Sequence, residues 1–304
     1  MWLGWILASC VVLSLYDLSK KASVRDNAVF PVLLGSTLSG FLAVTAFLSV
    51  HGELPATLGV PAGTMGLLLL KSCIVGASWT ATYMALRSLP ITSAAPIRAT
   101  GPLWTLIGAV CIFGELPTAL QAAGMALALV GCWLFSLSTK REGVRFWHDK
   151  AIALAFAGTF LGSCSALYDK CLLQQKGLGT GTVLWWFMGG MCVIYGVAVA
   201  ICVLRNRCAR TRGSGALTLQ REKFTFRWTI PLVGLLLAVS DACYFNAIST
   251  PDAKISVLSL IRRSSVILTF LLGGAIFHET NLKRKGLALL AILAGVILLC
   301  LSRQ

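Results

Sequence analysis

Of 304 residues, 57% are hydrophobic and only 12% are charged, and the mean hydropathy is +0.82. Soluble domains average about 25% charged residues, so a water-soluble globule is excluded: the chain could not cover its own surface. A net charge of +15 would suggest nucleic acid in a soluble protein, but no nucleic-acid motif is present, and the basic residues cluster between apolar runs, where Lys and Arg set topology and meet anionic headgroups.

In chain order, apolar runs predict membrane spans at 2–18, 29–50, 64–86, 91–113, 119–138, 151–168, 181–204, 229–249, 255–277 and 286–302. A helical span needs about 20 apolar residues, and ten need roughly 200. Helices satisfy their own backbone hydrogen bonds in lipid. A β-barrel needs alternation, and Gly66–Leu70 and Leu287–Leu301 are apolar on every side. The N-terminus lacks a basic n-region, so the first run is expected to stay in place as a span. The fold class expected is an all-α membrane protein of ten transmembrane helices in two inverted five-helix repeats, 1–139 and 150–302.

The repeat is read from landmarks in the same order. Leu15-Tyr16-Asp17 returns as Leu167-Tyr168-Asp169, Ala81-Thr82-Tyr83 as Ala242-Cys243-Tyr244, and Ile97-Arg98 as Ile261-Arg262. Phe113-Gly114-Glu115 returns as Phe277-His278-Glu279, and Gly131 as Gly295. The offsets are 152, 161 and then 164 residues, and the first jump coincides with a long basic connection, Arg205–Arg227, in the second half. Five spans per half is an odd number, so the halves cross in opposite senses, a design that puts a substrate site near the midplane between them. The matching also rescues the ninth span, where Arg262 and Arg263 each cost about 2.5–3.5 kcal/mol at a helix centre. Lys and Arg concentrate in the connections after odd-numbered spans, which predicts those connections to be cytoplasmic and both termini external.

On Tyr83, Ala85-Leu86, Pro102, Gly114-Glu115, Gly124 and Gly131, and again on Tyr244, Ala247, Glu279, Gly286 and Gly295, the chain resembles the drug/metabolite transporter superfamily, EamA type. Val266 stands where the second half would repeat the proline, and His278 where it would repeat the glycine. The resemblance implies ten helices, alternating access and a cavity lined largely by the third, fourth, eighth and ninth spans. Family members are often drawn with both termini in the cytoplasm; the charge distribution of this chain says the reverse.

Arg98 and Arg262 are the sharpest candidates for substrate binding, with Arg263 beside them. Arg is permanently ionised and its planar fork suits carboxylate or phosphate. Two readings stay open: an anion site for an organic acid or phosphorylated metabolite, or arginines paired structurally with internal acids such as Asp241. Tyr83, Tyr244 and Trp79 are further candidates for the cavity wall, core packing being the alternative. Asp241, in an apolar stretch, is a candidate coupling or ion-pair residue. Asp17 and Asp169 are candidates of the same kind at the ends of their spans, and Lys20 and Lys21 share a helical face with Asp17. Glu115 and Glu279 are expected to be structural.

The 11 cysteines lie mostly inside apolar runs, with no CxxC pair, and read as small buried hydrophobes. No HExxH, GxSxG or Walker loop occurs, and the three histidines share no metal spacing. The expectation is a secondary transporter, not an enzyme, with no cofactor and no metal. Its expected partners are a small-molecule substrate, the lipid bilayer and a second copy as a homodimer, in a bacterial inner membrane. An amino-acid or drug exporter and a lipid-handling membrane protein or enzyme are the alternatives.

Overall fold

The computed structural model describes residues 2–101, 103–104, 107, 118–140, 149–170, 172, 176–211, 224–248, 262, 265–278 and 282–301. Its described elements are all helices: α1 (Trp2–Val24), α2 (Val29–Val50), α3 (Leu54–Leu58), α4 (Ala62–Ser88), α5 (Ile91–Ala99), α6 (Ala119–Lys140), α7 (Lys150–Lys170), α8 (Thr180–Thr211), α9 (Thr229–Ile248), α10 (Ser265–Ile276) and α11 (Leu282–Leu301). Among the described residues, α1, α2, α4, α7 and α8 are long and apolar enough to cross a membrane, and α6, α9 and α10 contain shorter apolar helices. Pro117, Glu115, Glu279, Pro102 and Arg263 lie outside the described residues.

Two boundaries differ from the sequence reading. The first span runs on to Val24 rather than stopping near 18. The connection after α2 folds into a short extra helix, α3, with a proline in its first turn where a missing N–H costs nothing. Prolines also precede α4 and α5, as Pro61 and Pro90. His278 has φ 49°, a left-handed conformation that glycine adopts without strain.

Burial is inverted relative to a soluble protein. Val193, Leu287, Leu290 and Trp133 are each at least 60% exposed, while Asp17, Lys20, Lys71 and Lys285 are at most 5% exposed. Apolar side chains on the outside and charges within is the arrangement that lipid demands. The main core joins α1, α2, α4, α8 and α9 through Tyr16, Leu33, Tyr83, Met188, Tyr195 and Val233.

The packing partners follow a rule. α1 packs on α9 and α4 on α7; α2 packs on α8, α5 on α10 and α6 on α11. With α3 set aside, exchanging each helix for the one five places on returns the same set of pairs. The α6–α11 contact obeys the rule atom by atom. A Cβ on Gly131 would lie 2.7 Å from Ile292 N and 3.1 Å from Ala288 O; one on Gly295 would lie 2.6 Å from Ala128 N and from Gly124 O. Each residue is 164 positions from its counterpart, so the interface is self-complementary. Backbones approach this closely only where both sides carry small residues.

Candidate functional site

Two buried charged clusters occupy different levels of the bundle. Hydrogen bonds fix the level of each. Ser9 Oγ donates to Ser240 O at 2.8 Å, and Ser23 Oγ bonds Thr229 Oγ1 at 2.8 Å, so α1 and α9 run antiparallel. Asp241 therefore sits level with Ser9 of α1, and Asp17 lies eight residues, roughly 12 Å, further along that helix.

The first cluster joins α1, α4 and α5. Arg98, in the last turn of α5, places a guanidinium N–H 2.5 Å from Asp17 Oδ1, and Lys20 Nζ lies 3.6 Å from the same oxygen. Lys20 also stands 4.7 Å from the Tyr16 ring centroid and 5.3 Å from that of Tyr83, a favourable placement for a cation. Asp17 and Tyr83 are fully enclosed. One turn away, Lys21 Nζ donates to Leu86 O at 2.5 Å and also to Leu89 O. It thus satisfies carbonyls at the end of α4 and places a cation at the negative end of that helix.

Asp17 corrects the sequence reading. Its proximity to Lys20 suggested a local pair at the membrane boundary. In the structure α1 continues seven residues beyond it, so Asp17 is roughly 10 Å inside the helix end, and its close partner is Arg98 on another helix.

The second cluster joins α4, α7, α9 and Arg262. Arg262 donates to Asp241 Oδ1 at 2.5 Å and stacks over the Tyr244 ring at 4.0 Å. Lys71 of α4 donates to Asp169 Oδ1 at the end of α7. Tyr168 OH donates to Leu67 O at 3.1 Å and fixes the same junction. These groups line a cavity of about 230 Å³ together with Trp79, Ser78, Ser165 and Phe187. Here the acids are partly exposed, Asp169 by 34% and Asp241 by 16%, against 2% for Asp17; the arginines are alike, 20% for Arg262 and 27% for Arg98, and Lys71 is buried.

Of the candidates from sequence, the structure gathers Arg262, Asp241, Asp169, Tyr244 and Trp79 around one cavity, and Arg98, Asp17 and Tyr83 into the other cluster. Arg98 is not among the cavity-lining residues. Arg263 lies outside the described residues. Lys71 was missed. A lone lysine inside a 64–86 span otherwise free of charge until Arg87 is itself the signal, because an intramembrane ammonium is retained only where it has a partner. Lys20 and Tyr16 were also missed as members of an interior cluster.

A larger recess, about 490 Å³, lies on the flank between α4, α7 and α8, lined by Cys73, Gly76, Ala77, Met84, Leu154 and Ile194 among others. It holds no charged group and opens sideways, so it suits a lipid chain better than a polar solute.

Residues 1–137 match the EamA-like transporter family. Human solute carrier family 35 member E4 is 26% identical over 200 residues, which are 66% of this chain and 53% of that protein. This chain therefore spans about half the length of that curated relative. A solved crystal structure covers 100% of this chain and 97% of its own, with a TM-score of 0.61 at 15% identity, a likeness of fold. The charged interior, the apolar exterior and these similarities agree: the first 137 residues are similar to the EamA-like transporter family, and the whole chain shares its fold with a solved structure.

Proposed function

We propose that the protein is a secondary transporter that moves a small charged metabolite by alternating access, with Arg262 receiving an anionic group of the substrate. The observation that carries this reading is the pairing of a charged cluster closed around an enclosed carboxylate, Asp17, at one level with a half-open charged cavity at another. A solute site closed on one side and reachable from the other is what alternating access requires. The exchange-invariant helix packing and the reciprocal Gly131/Gly295 contact support two inverted repeats, 1–139 and 150–302, that rock about this site.

The substrate anion would compete with Asp241 for Arg262, whose guanidinium is oriented by the Tyr244 ring. Arg98 serves a different purpose in this reading: it closes the opposite level by binding Asp17. Both arginines are paired with acids, Arg98 with Asp17 and Arg262 with Asp241, as the structural alternative expects; in this reading the Arg262 pair is the one a substrate anion opens. With the basic connections on the cytoplasmic side, the sealed level faces the cytoplasm. The compact loops favour a bacterial inner membrane, and membrane fractionation of the native source decides this point.

The test is counterflow in proteoliposomes with labelled carboxylates and phosphorylated metabolites. Exchange that exceeds empty vesicles and falls at least tenfold in Arg262→Gln supports the reading. Failure of folded wild-type protein to move any solute class removes it.

A further inference from the structure

The second cluster differs from the first in a way that specifies its ligand. Asp17 and Asp169 are matched residues, as are Arg98 and Arg262, and Tyr83 and Tyr244. In the first cluster the matched acid and base meet directly, Asp17 with Arg98. In the second they do not. Asp169 holds Lys71 instead, and Arg262 holds Asp241. At the offset of 161 that relates Tyr83 to Tyr244, the counterparts of Lys71 and Asp241 are Leu232 and Thr80. The extra base therefore has no equivalent in the second half, and the extra acid none in the first. The second cluster is an acid–base bridge held apart by an inserted pair of opposite charges, and the cavity lies among them.

Resting on the transporter reading above, we propose that this cavity binds a small zwitterion, its anionic group on Arg262 and its cationic group on Asp169. The four protein charges, Lys71, Asp169, Asp241 and Arg262, sum to zero. Charges taken out of water must be partnered. A monoanion on Arg262 would release Asp241 with nothing to neutralise it, and a monocation on Asp169 would release Lys71. A solute carrying both charges releases the two together. Asp241 and Lys71 line the same cavity and then neutralise each other, so six charges form three pairs. The space of about 230 Å³ lies below the usual range for drug-sized ligands, roughly 300–1,000 Å³, and so suits a small solute. The Tyr244 ring beneath the guanidinium and Ser165 and Trp79 on the wall supply orientation without adding charge.

The experiment is counterflow in proteoliposomes with three matched pools: glycine, β-alanine, L-alanine, L-serine and L-threonine; their N-acetyl derivatives, which keep only the anion; and their amides, which keep only the cation. Sugar phosphates, dicarboxylates and simple amines complete the panel. The expected result is exchange of the zwitterion pool at least tenfold faster than either derivative pool, with matching thermal stabilisation of the wild-type protein. In Asp169→Asn the preference for the zwitterion over its N-acetyl form falls towards one. Asn is isosteric, and size-exclusion profile and Tm report whether that variant is folded. Equal or faster exchange of N-acetyl compounds or sugar phosphates overturns the zwitterion assignment in favour of an anion and leaves the transporter reading standing. Faster exchange of amides or amines overturns it in favour of a cation. Movement of no pool by folded protein overturns both.

Discussion

The two charged clusters are made from matched residues, yet one is closed on itself and the other is open. Asp17 and Arg98 lie on α1 and α5, and burial leaves the Asp17 carboxylate, 2% exposed, no solvent to fall back on, although Arg98 keeps 27%. Asp169 and Arg262 have the same ancestry in the sequence pattern but are separated by Lys71 and Asp241, and all keep partial access to the cavity. The difference teaches that a repeated charge pair need not stay paired: what stands between its members decides whether they close on each other.

The strongest way to break the comparison is to remove the acid of the sealed cluster. Asp17→Asn strands Arg98 and Lys20 without a counter-charge. Loss of one partner of a buried pair costs about 3–5 kcal/mol, so a large fall in Tm and in monodisperse yield in detergent is expected. A variant that purifies like wild type would place Asp17 in contact with water and dissolve the contrast. Gly234→Ala tests the α2–α9 contact, on the helix that carries Asp241. Its Cβ would lie 2.0 Å from Ser36 O and 2.6 Å from Gly40 N, and backbone cannot yield cheaply, so about 1–3 kcal/mol of destabilisation should appear in a thermal melt.

The open cluster should behave differently. Asp169→Asn strips Lys71 of its acid, but Asp169 is itself 34% exposed and Asp241 lines the same cavity, so the loss of stability should be smaller than for Asp17→Asn while substrate preference changes, a separation that melts and flux assays on the same preparation can see. The smallest expected effect is Ser9→Ala, which removes the bond to the Ser240 carbonyl that sets the two levels. Side-chain hydrogen bonds in membranes average about 0.6 kcal/mol, and a drop beyond about 2 kcal/mol would mean that this junction, and not the charges, holds the levels apart.

Much of the fold was legible because lipid imposes a simple code. Apolar runs marked the helices, and recurring landmarks located Asp17 against Asp169, Arg98 against Arg262 and Gly131 against Gly295. The last match reappears as a reciprocal backbone contact. What the sequence did not reveal were the cross-helix partners. Lys20 sits three residues after Asp17, so local spacing offered a sufficient partner and hid Arg98, 81 positions away. Lys71 and Asp169 are 98 positions apart and meet only because α4 packs on α7. Partner choice of this kind depends on which faces of two helices are turned together, and nearly featureless apolar faces carry little information about that.

The pairing of α1 with α9 also sets a schedule for biogenesis. Val24 ends α1 and Thr229 begins α9, 205 positions later. At roughly 5–20 residues per second, synthesis leaves α1 in the bilayer for about 10–40 s before its main partner emerges. Ser9 waits that long for Ser240. Asp17 does not, because Arg98 follows within a few seconds to tens of seconds at the same rate. The sealed cluster is therefore available to hold the first half together as a charged but neutralised intermediate, and the open cluster can form only when the last third of the chain has been inserted.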